Sequence, residues 1–201
     1  MVLSLIGLVF LSPLFLFTAL ILAIEFRGNP FFVHRRPGKH ERIFSVLKFK
    51  TMNNKKDDTG NLLPDTDRLT PLGMLIRKTS IDELPQLLNV LKGDMSLIGP
   101  RPLLIRYSPY YTDEERKRFL VRPGITGLAQ VSGRSFITWE EKFKKDVEYV
   151  ENITLRTDIG IIWKTLIIVF KREGIEVDPN SNPQTMALDI IRNGAYLEEE
   201  E

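Results

Sequence analysis

Apolar and polar positions divide the chain into one long uncharged segment and a mixed remainder. No residue from Met1 to Ile24 carries a charge. As one continuous helix this segment would extend roughly 36 Å, against a hydrocarbon core of about 30 Å. Its middle, Leu11-Ser12-Pro13-Leu14-Phe15, interrupts that continuity. Pro13 has no N–H for the Val9 carbonyl and its ring crowds that carbonyl, so a kink is expected. The Ser12 hydroxyl is able to bond a freed carbonyl, which lipid cannot do. Two arms of about 17 Å are each too short to span alone. By physics alone, a kinked spanning helix and a segment that dips into one leaflet and returns both stay open. A signal peptide is not expected, because no Lys or Arg precedes the apolar run and no small-residue cleavage site follows it.

Beyond Gly28 the period changes. Phe31 to His34 predict a short strand, Arg36 to Glu41 a turn, and Ile43 to Met52 a second strand of one β-hairpin. On the second strand Val46, Lys48 and Lys50 share one face, with Leu47 and Phe49 on the other. Among such neighbours Lys48 reads as a surface lysine with its stem along apolar surface. Residues 53–67 are polar, rich in turn formers and without a period. Thr70 followed by Pro71 is a helix start. Further helices are expected from about Thr112 to Val121, from an N-cap at Thr138, and from Thr157 or Asp158 up to Gly174. The last is rich in Ile, Leu and Val but too short to span. It reads as a buried core helix or as one lying in a membrane interface with Trp163 at headgroup level.

Composition sharpens the picture in two places. The net charge of the 201 residues is only +2, but Arg27 to Lys50 hold seven Lys or Arg against Glu41 alone. At an anionic membrane surface each such base is worth about 1 kcal/mol, and the positive-inside bias puts residues 25–201 on the cytoplasmic side. With no cysteine, a disulfide scaffold and a Cys-ligated zinc site are excluded. Glu198 to Glu201 close the chain as a solvated acidic tail.

The candidate chemistry sits in Ser80-Ile81-Asp82-Glu83-Leu84-Pro85. Ser80 and Glu83 fit a capping box, but that register buries Pro85 inside the hydrogen-bond ladder. Taking Asp82 as N-cap puts Pro85 at the third helical position, where its missing donor is harmless. The helix then runs to about Leu91 and stops at Gly93. Both acids would stand at the positive end of a helix, a place that also attracts phosphate. Simple capping is one reading. The other is an ionised Asp82 as nucleophile and Glu83 as a Mg²⁺ ligand. Arg101 between Pro100 and Pro102 is held stiffly enough to fork onto phosphate oxygens. Arg77, Arg122 and Arg134 add to a basic surround that fits a polyanionic substrate handled with a divalent ion. No GxxxxGK[ST], GxGxxG or HExxH is present.

The runs KFKTM, SIDELPQLLNVLKGDMSLIGPRP and VRPGITGLAQVSGR, in that order, resemble the bacterial sugar transferase family, the monotopic phosphoglycosyl transferases, with a compact size like its PglC-type members. The resemblance implies an α+β fold. A re-entrant membrane helix broken at Ser12-Pro13 occupies residues 1–26, and a mostly helical catalytic domain with a small β-hairpin and interfacial amphipathic helices occupies 27–180. A C-terminal tail follows over 181–201. It implies Asp82 as nucleophile beside Glu83, with both near Mg²⁺, and Lys48, Arg77, Arg101, Gln130 and Arg134 on the substrate. The implied reaction transfers a sugar phosphate from a UDP-sugar to a polyprenol phosphate, undecaprenyl phosphate being the expected carrier, through a covalent aspartyl intermediate. The implied place is the cytoplasmic face of the inner membrane, among membrane lipids and downstream glycosyltransferases, with no nucleic acid. A lipid-diphosphate phosphohydrolase and a non-catalytic membrane adaptor are the competing readings.

Overall fold

The computed structural model describes residues 2–133, 137–171 and 188–192. Helix α1 (Val2–Phe10) and helix α2 (Ser12–Glu25) meet at Leu11 with a bend of 61°. Ser12 Oγ donates to the Val9 carbonyl at 2.7 Å, the acceptor that Pro13 cannot serve, so a side chain closes the missing rung. Among the described residues no single helix is long and apolar enough to cross a membrane, whereas the bent pair passes that test by length and composition.

Helix α2 buries one narrow stripe. Leu22 is fully enclosed with Phe49 and Ile76, and Phe15 and Phe31 pack against that cluster. The remaining faces stay open, with Leu16, Phe17, Leu20 and Ile24 exposed. The hairpin beneath consists of β1 (Phe31–Pro37) and β2 (Ile43–Phe49), antiparallel with Phe31 opposite Phe49 and Pro37 opposite Ile43. The first strand is longer than its pattern predicts, and the second stops at Phe49 instead of Met52. The ladder ends because Lys50 N–H reaches the Pro30 carbonyl and Pro30 has no N–H to return. Met52 bridges Leu69 instead.

Helices α3 (Asp65–Arg68) and α4 (Pro71–Lys78) follow, the latter capped by Thr70 Oγ1 from the Gly73 N–H as its sequence predicts. Helix α5 (Gln86–Lys92) packs against α1 and ends at Gly93, φ 84°. Strands β3 (Ser96–Ile98) and β4 (Gly124–Thr126) form a parallel pair. A Cβ on Gly124 would lie 2.1 Å from the Gly99 nitrogen, so only glycine lets these two backbones touch. That contact fixes the Pro100-Arg101-Pro102 loop relative to the strand pair.

Thr112 caps α6 (Asp113–Arg116) in a capping box with Glu115, and the turn tightens to a 3₁₀ form over Lys117–Leu120. The one-turn α7 (Leu128–Val131) precedes α8 (Trp139–Glu151), which Thr138 and Glu141 cap as predicted. Tyr107, Tyr111, Phe119, Trp139, Phe143 and Leu188 form an aromatic second core. Helix α9 (Leu155–Lys171) starts earlier than expected, because Thr154 Oγ1 accepts from the Thr157 N–H and takes over as cap. Its expected end at Gly174 lies outside the described residues. The core-helix reading of α9 is corrected: Ile161 alone is buried, against Ile98 and Tyr149, while Trp163 is 65% and Phe170 85% exposed.

Candidate active site

Ser80 leaves α4 in the left-handed region, φ 56°, a conformation that costs a non-glycine residue of order 1–3 kcal/mol and gathers at functional sites. The chain then makes a 3₁₀ turn over Ile81–Glu83 before α5. The N-cap role assigned to Asp82 is therefore corrected. Hydrogen bonds of i→i−3 type run Glu83 to Ser80, Leu84 to Ile81 and Leu87 to Leu84, so helical geometry begins before Asp82. Pro85, with no donor, falls where the 3₁₀ turn passes into α5. The capping box does not form either, since the Ser80 side chain makes no cap bond and Glu83 is engaged elsewhere.

Glu83 Oε1 accepts from Lys48 Nζ at 2.8 Å and from Arg101 Nη2 at 2.7 Å. Lys48 Nζ also lies 3.7 Å from Asp82 Oδ2. Strand β2 thus aims Lys48 at both acids, and the surface-lysine reading gives way to an ion pair with its side chain only 26% exposed. Arg77 Nε donates to Thr51 Oγ1 at 2.9 Å and is near enough to Asp82 to favour its charge. Arg101, expected to fork onto phosphate oxygens, bonds Glu83 Oε1 through Nη2 with its side chain 43% exposed.

Asp82 and Glu83 are 13% and 16% exposed, and they part in acidity. Burial, with the neighbouring Glu83, pushes the Asp82 carboxyl up to about 6, against the pull of Lys48, Arg101 and Arg77. Burial also opposes charge on Glu83, but Arg101 and Lys48 outweigh it and hold that carboxyl well below the usual carboxylate range. Glu83 is a fixed anion, and Asp82 is a carboxylate raised in energy. That split makes the pair a candidate functional site.

The donor set of the pair is of the type that takes a divalent cation. Lys48 and Arg101 share Oε1 of Glu83, and no described residue bonds its Oε2. Among the described residues no three His, Asp or Glu gather into a cage. Two carboxylates with oxygens to spare fit Mg²⁺, which takes one or two protein carboxylates and completes its shell with phosphate and water.

Gln130 Nε2 donates to the Ile125 carbonyl at 3.0 Å. Arg122 is exposed. Arg134 lies outside the described residues. Two side chains escaped the sequence reading: His34 and Arg36 share the hairpin face of Lys48, because Phe32 pairs with Lys48 and the face repeats every second residue. Counting back along β1 from that pairing was the available signal.

A model of the family described as bacterial sugar transferase matches residues 1–172. The chain belongs to the bacterial sugar transferase family. This transferase is 52% identical over 165 residues to "Uncharacterized sugar transferase EpsL" of Bacillus subtilis (strain 168), covering 82% of each chain. It is 40% identical to "Undecaprenyl-phosphate galactose phosphotransferase" of Salmonella typhimurium over 73% of its own length and 34% of that protein, so it spans about a third of that relative. It is 38% identical to "UDP-glucose:undecaprenyl-phosphate glucose-1-phosphate transferase" of Caulobacter vibrioides, covering 77% of this chain and 62% of that one.

Proposed function

We propose that the enzyme moves a sugar phosphate from a UDP-sugar to a polyprenol phosphate, as the names of the Salmonella and Caulobacter relatives describe for those proteins. The observation that carries this reading is the adjacent acid pair, one carboxyl raised and one depressed, under three cations. An Asp82 oxygen attacks the β-phosphorus of the donor. The bond from that phosphorus to the bridging oxygen breaks, and UMP leaves with the electron pair. An oxygen of the polyprenol phosphate then attacks the same phosphorus, and the Asp82 carboxylate is released unchanged. Splitting the transfer this way gives ping-pong kinetics.

Lys48 and Arg101 hold Glu83 rigidly anionic, and Arg77, tied to Thr51, keeps a positive field on Asp82. Burial strips water from the attacking carboxylate and lets these charges act at short range. Mg²⁺ carried by oxygens of Asp82 and Glu83 would neutralise charge on the donor phosphates. The bent α1–α2 pair dips into one leaflet and returns, with α9 lying in the interface on Trp163 and Phe170. This reading is supported by the Ser12–Val9 bond, the 61° bend and the exposed apolar side chains. It places the acids at headgroup depth on the cytoplasmic face, where a lipid phosphate meets a soluble nucleotide.

Intact-protein mass spectrometry after incubation with Mg²⁺ and a panel of UDP-sugars, without lipid, tests the chemistry. One donor should add a sugar phosphate and release UMP. UMP release that needs the lipid, with no adduct, would sink the covalent route. Cysteines placed at Val2 and Arg27 should react with an impermeant thiol reagent from the same face.

A further inference from the structure

The hairpin face that presents Lys48 to the acids carries a cation that no acid serves among the described residues. From Phe32, which pairs with Lys48, the face continues through His34 to Arg36, opposite Val46 and Phe44. Arg36 Nη2 lies 3.3 Å from His34 Nδ1. Among the described residues no carboxylate pairs with Arg36. Burial pulls its guanidinium down to about 10, with Arg101 the next influence, and burial with Arg36 and Lys48 lowers His34. A neutral His34 then accepts from Arg36 at Nδ1 and keeps its other ring nitrogen as a donor. A half-buried guanidinium beside a second one, without a carboxylate, is short of negative charge.

We propose that Arg36 and His34 form an anion subsite for the nucleotide phosphate of the donor, the group that departs when Asp82 attacks. The assignment rests on the donor and acceptor named above. Its direction comes from the fold. Helix α2 covers the Phe31–Phe49 end of the hairpin, whereas Arg36 lies five residues toward the turn, roughly 17 Å along the strand. On the membrane placement proposed above, a lipid phosphate enters from the α2 side, so the far end serves the soluble partner. There a guanidinium forks onto two phosphate oxygens and steadies the charge that builds on the leaving group.

The test uses the full chain in detergent, with UDP, inorganic pyrophosphate and undecaprenyl phosphate as separate calorimetric probes. Arg36→Ala should weaken UDP and pyrophosphate binding about 10- to 100-fold and leave undecaprenyl phosphate within about twofold of wild type. It should slow adduct formation while a preformed adduct passes to lipid at the wild-type rate. His34→Ala should give a smaller loss of the same kind. Unchanged UDP affinity in Arg36→Ala overturns the proposal, as does a loss confined to undecaprenyl phosphate, which would give the subsite to the lipid. If Arg36→Ala does not fold, Arg36→Lys replaces it: weaker UDP binding supports the fork and wild-type binding refutes it. Should no donor form an adduct or release UMP in the wild type, with or without lipid, while Arg36→Ala still weakens pyrophosphate binding, the subsite stands and the transfer reading fails.

Discussion

Asp146 and Asp82 are both carboxylates taken out of water, and in both burial pushes the carboxyl up. Their surroundings are opposite. Asp146 Oδ2 accepts from Arg118 Nε at 3.1 Å and from Arg118 Nη2 at 2.8 Å. Arg118 is enclosed by the rings of Tyr111, Phe119 and Phe143 at 5.4–5.7 Å, and the two side chains are 2% and 5% exposed. That pair meets its charge internally. Among the described residues Asp82 has only Lys48 at 3.7 Å, because Lys48 and Arg101 both bond to Glu83. Its charge is balanced by a field and not by a bond, which leaves its oxygens available to a phosphorus. The two centres are also joined: Arg118 Nη2 donates to the Arg101 carbonyl at 2.6 Å, so the closed pair anchors the loop that serves the open one.

The contrast breaks most visibly at Asp82. Asp82→Asn should lower turnover by on the order of 10³-fold or more, measured as UMP release. Its melting temperature should hold or rise, since an amide beside Glu83 needs no balancing charge. Retained activity with a lower melting temperature would reverse the roles of the two centres. Asp146→Ala strands Arg118 among aromatic rings and should cost about 3–5 kcal/mol in denaturant unfolding. A loss below about 1 kcal/mol would mean that the pair is not what holds this core.

Glu83→Gln should reduce turnover about 10²-fold with the fold intact, and EDTA should bring the wild type to a similar level. Turnover indifferent to chelation would remove the metal from the site. The smallest effect is expected of Arg101→Lys, about tenfold in turnover with an unchanged melting temperature, because an ammonium does not reproduce the placement of a guanidinium. A wild-type rate there would assign Arg101 to the loop through its carbonyl alone.

What was legible in the chain follows the range of the physics involved. The break at Ser12-Pro13, the caps at Thr70 and Thr138 and the stop at Gly93 all appear as read. Each is settled within about one helical turn, by a missing donor, a hydroxyl acceptor or a positive φ. The acid pair was legible from its motif, but its local geometry was not. An i→i−3 ladder competes closely with an i→i−4 one around a proline, and packing against β2 chose between them. The exposure of α9 was equally out of reach, because an apolar helix looks alike whether a core or a lipid surface covers it.

The sequence by itself therefore determined the bend in the apolar helix pair, the capped segments and the presence of two adjacent carboxylates within a family's motif. Only the tertiary structure decided that Lys48, 35 residues before Glu83, and Arg101, 18 residues after it, meet on one oxygen. It also decided that, among the described residues, Asp82 is left without a hydrogen bond and Arg36 without a paired acid. Hydrogen-bond ladders and backbone sterics act between near neighbours in the chain. The energy of a charge depends on every group and every water within several ångströms, and folding alone selects those.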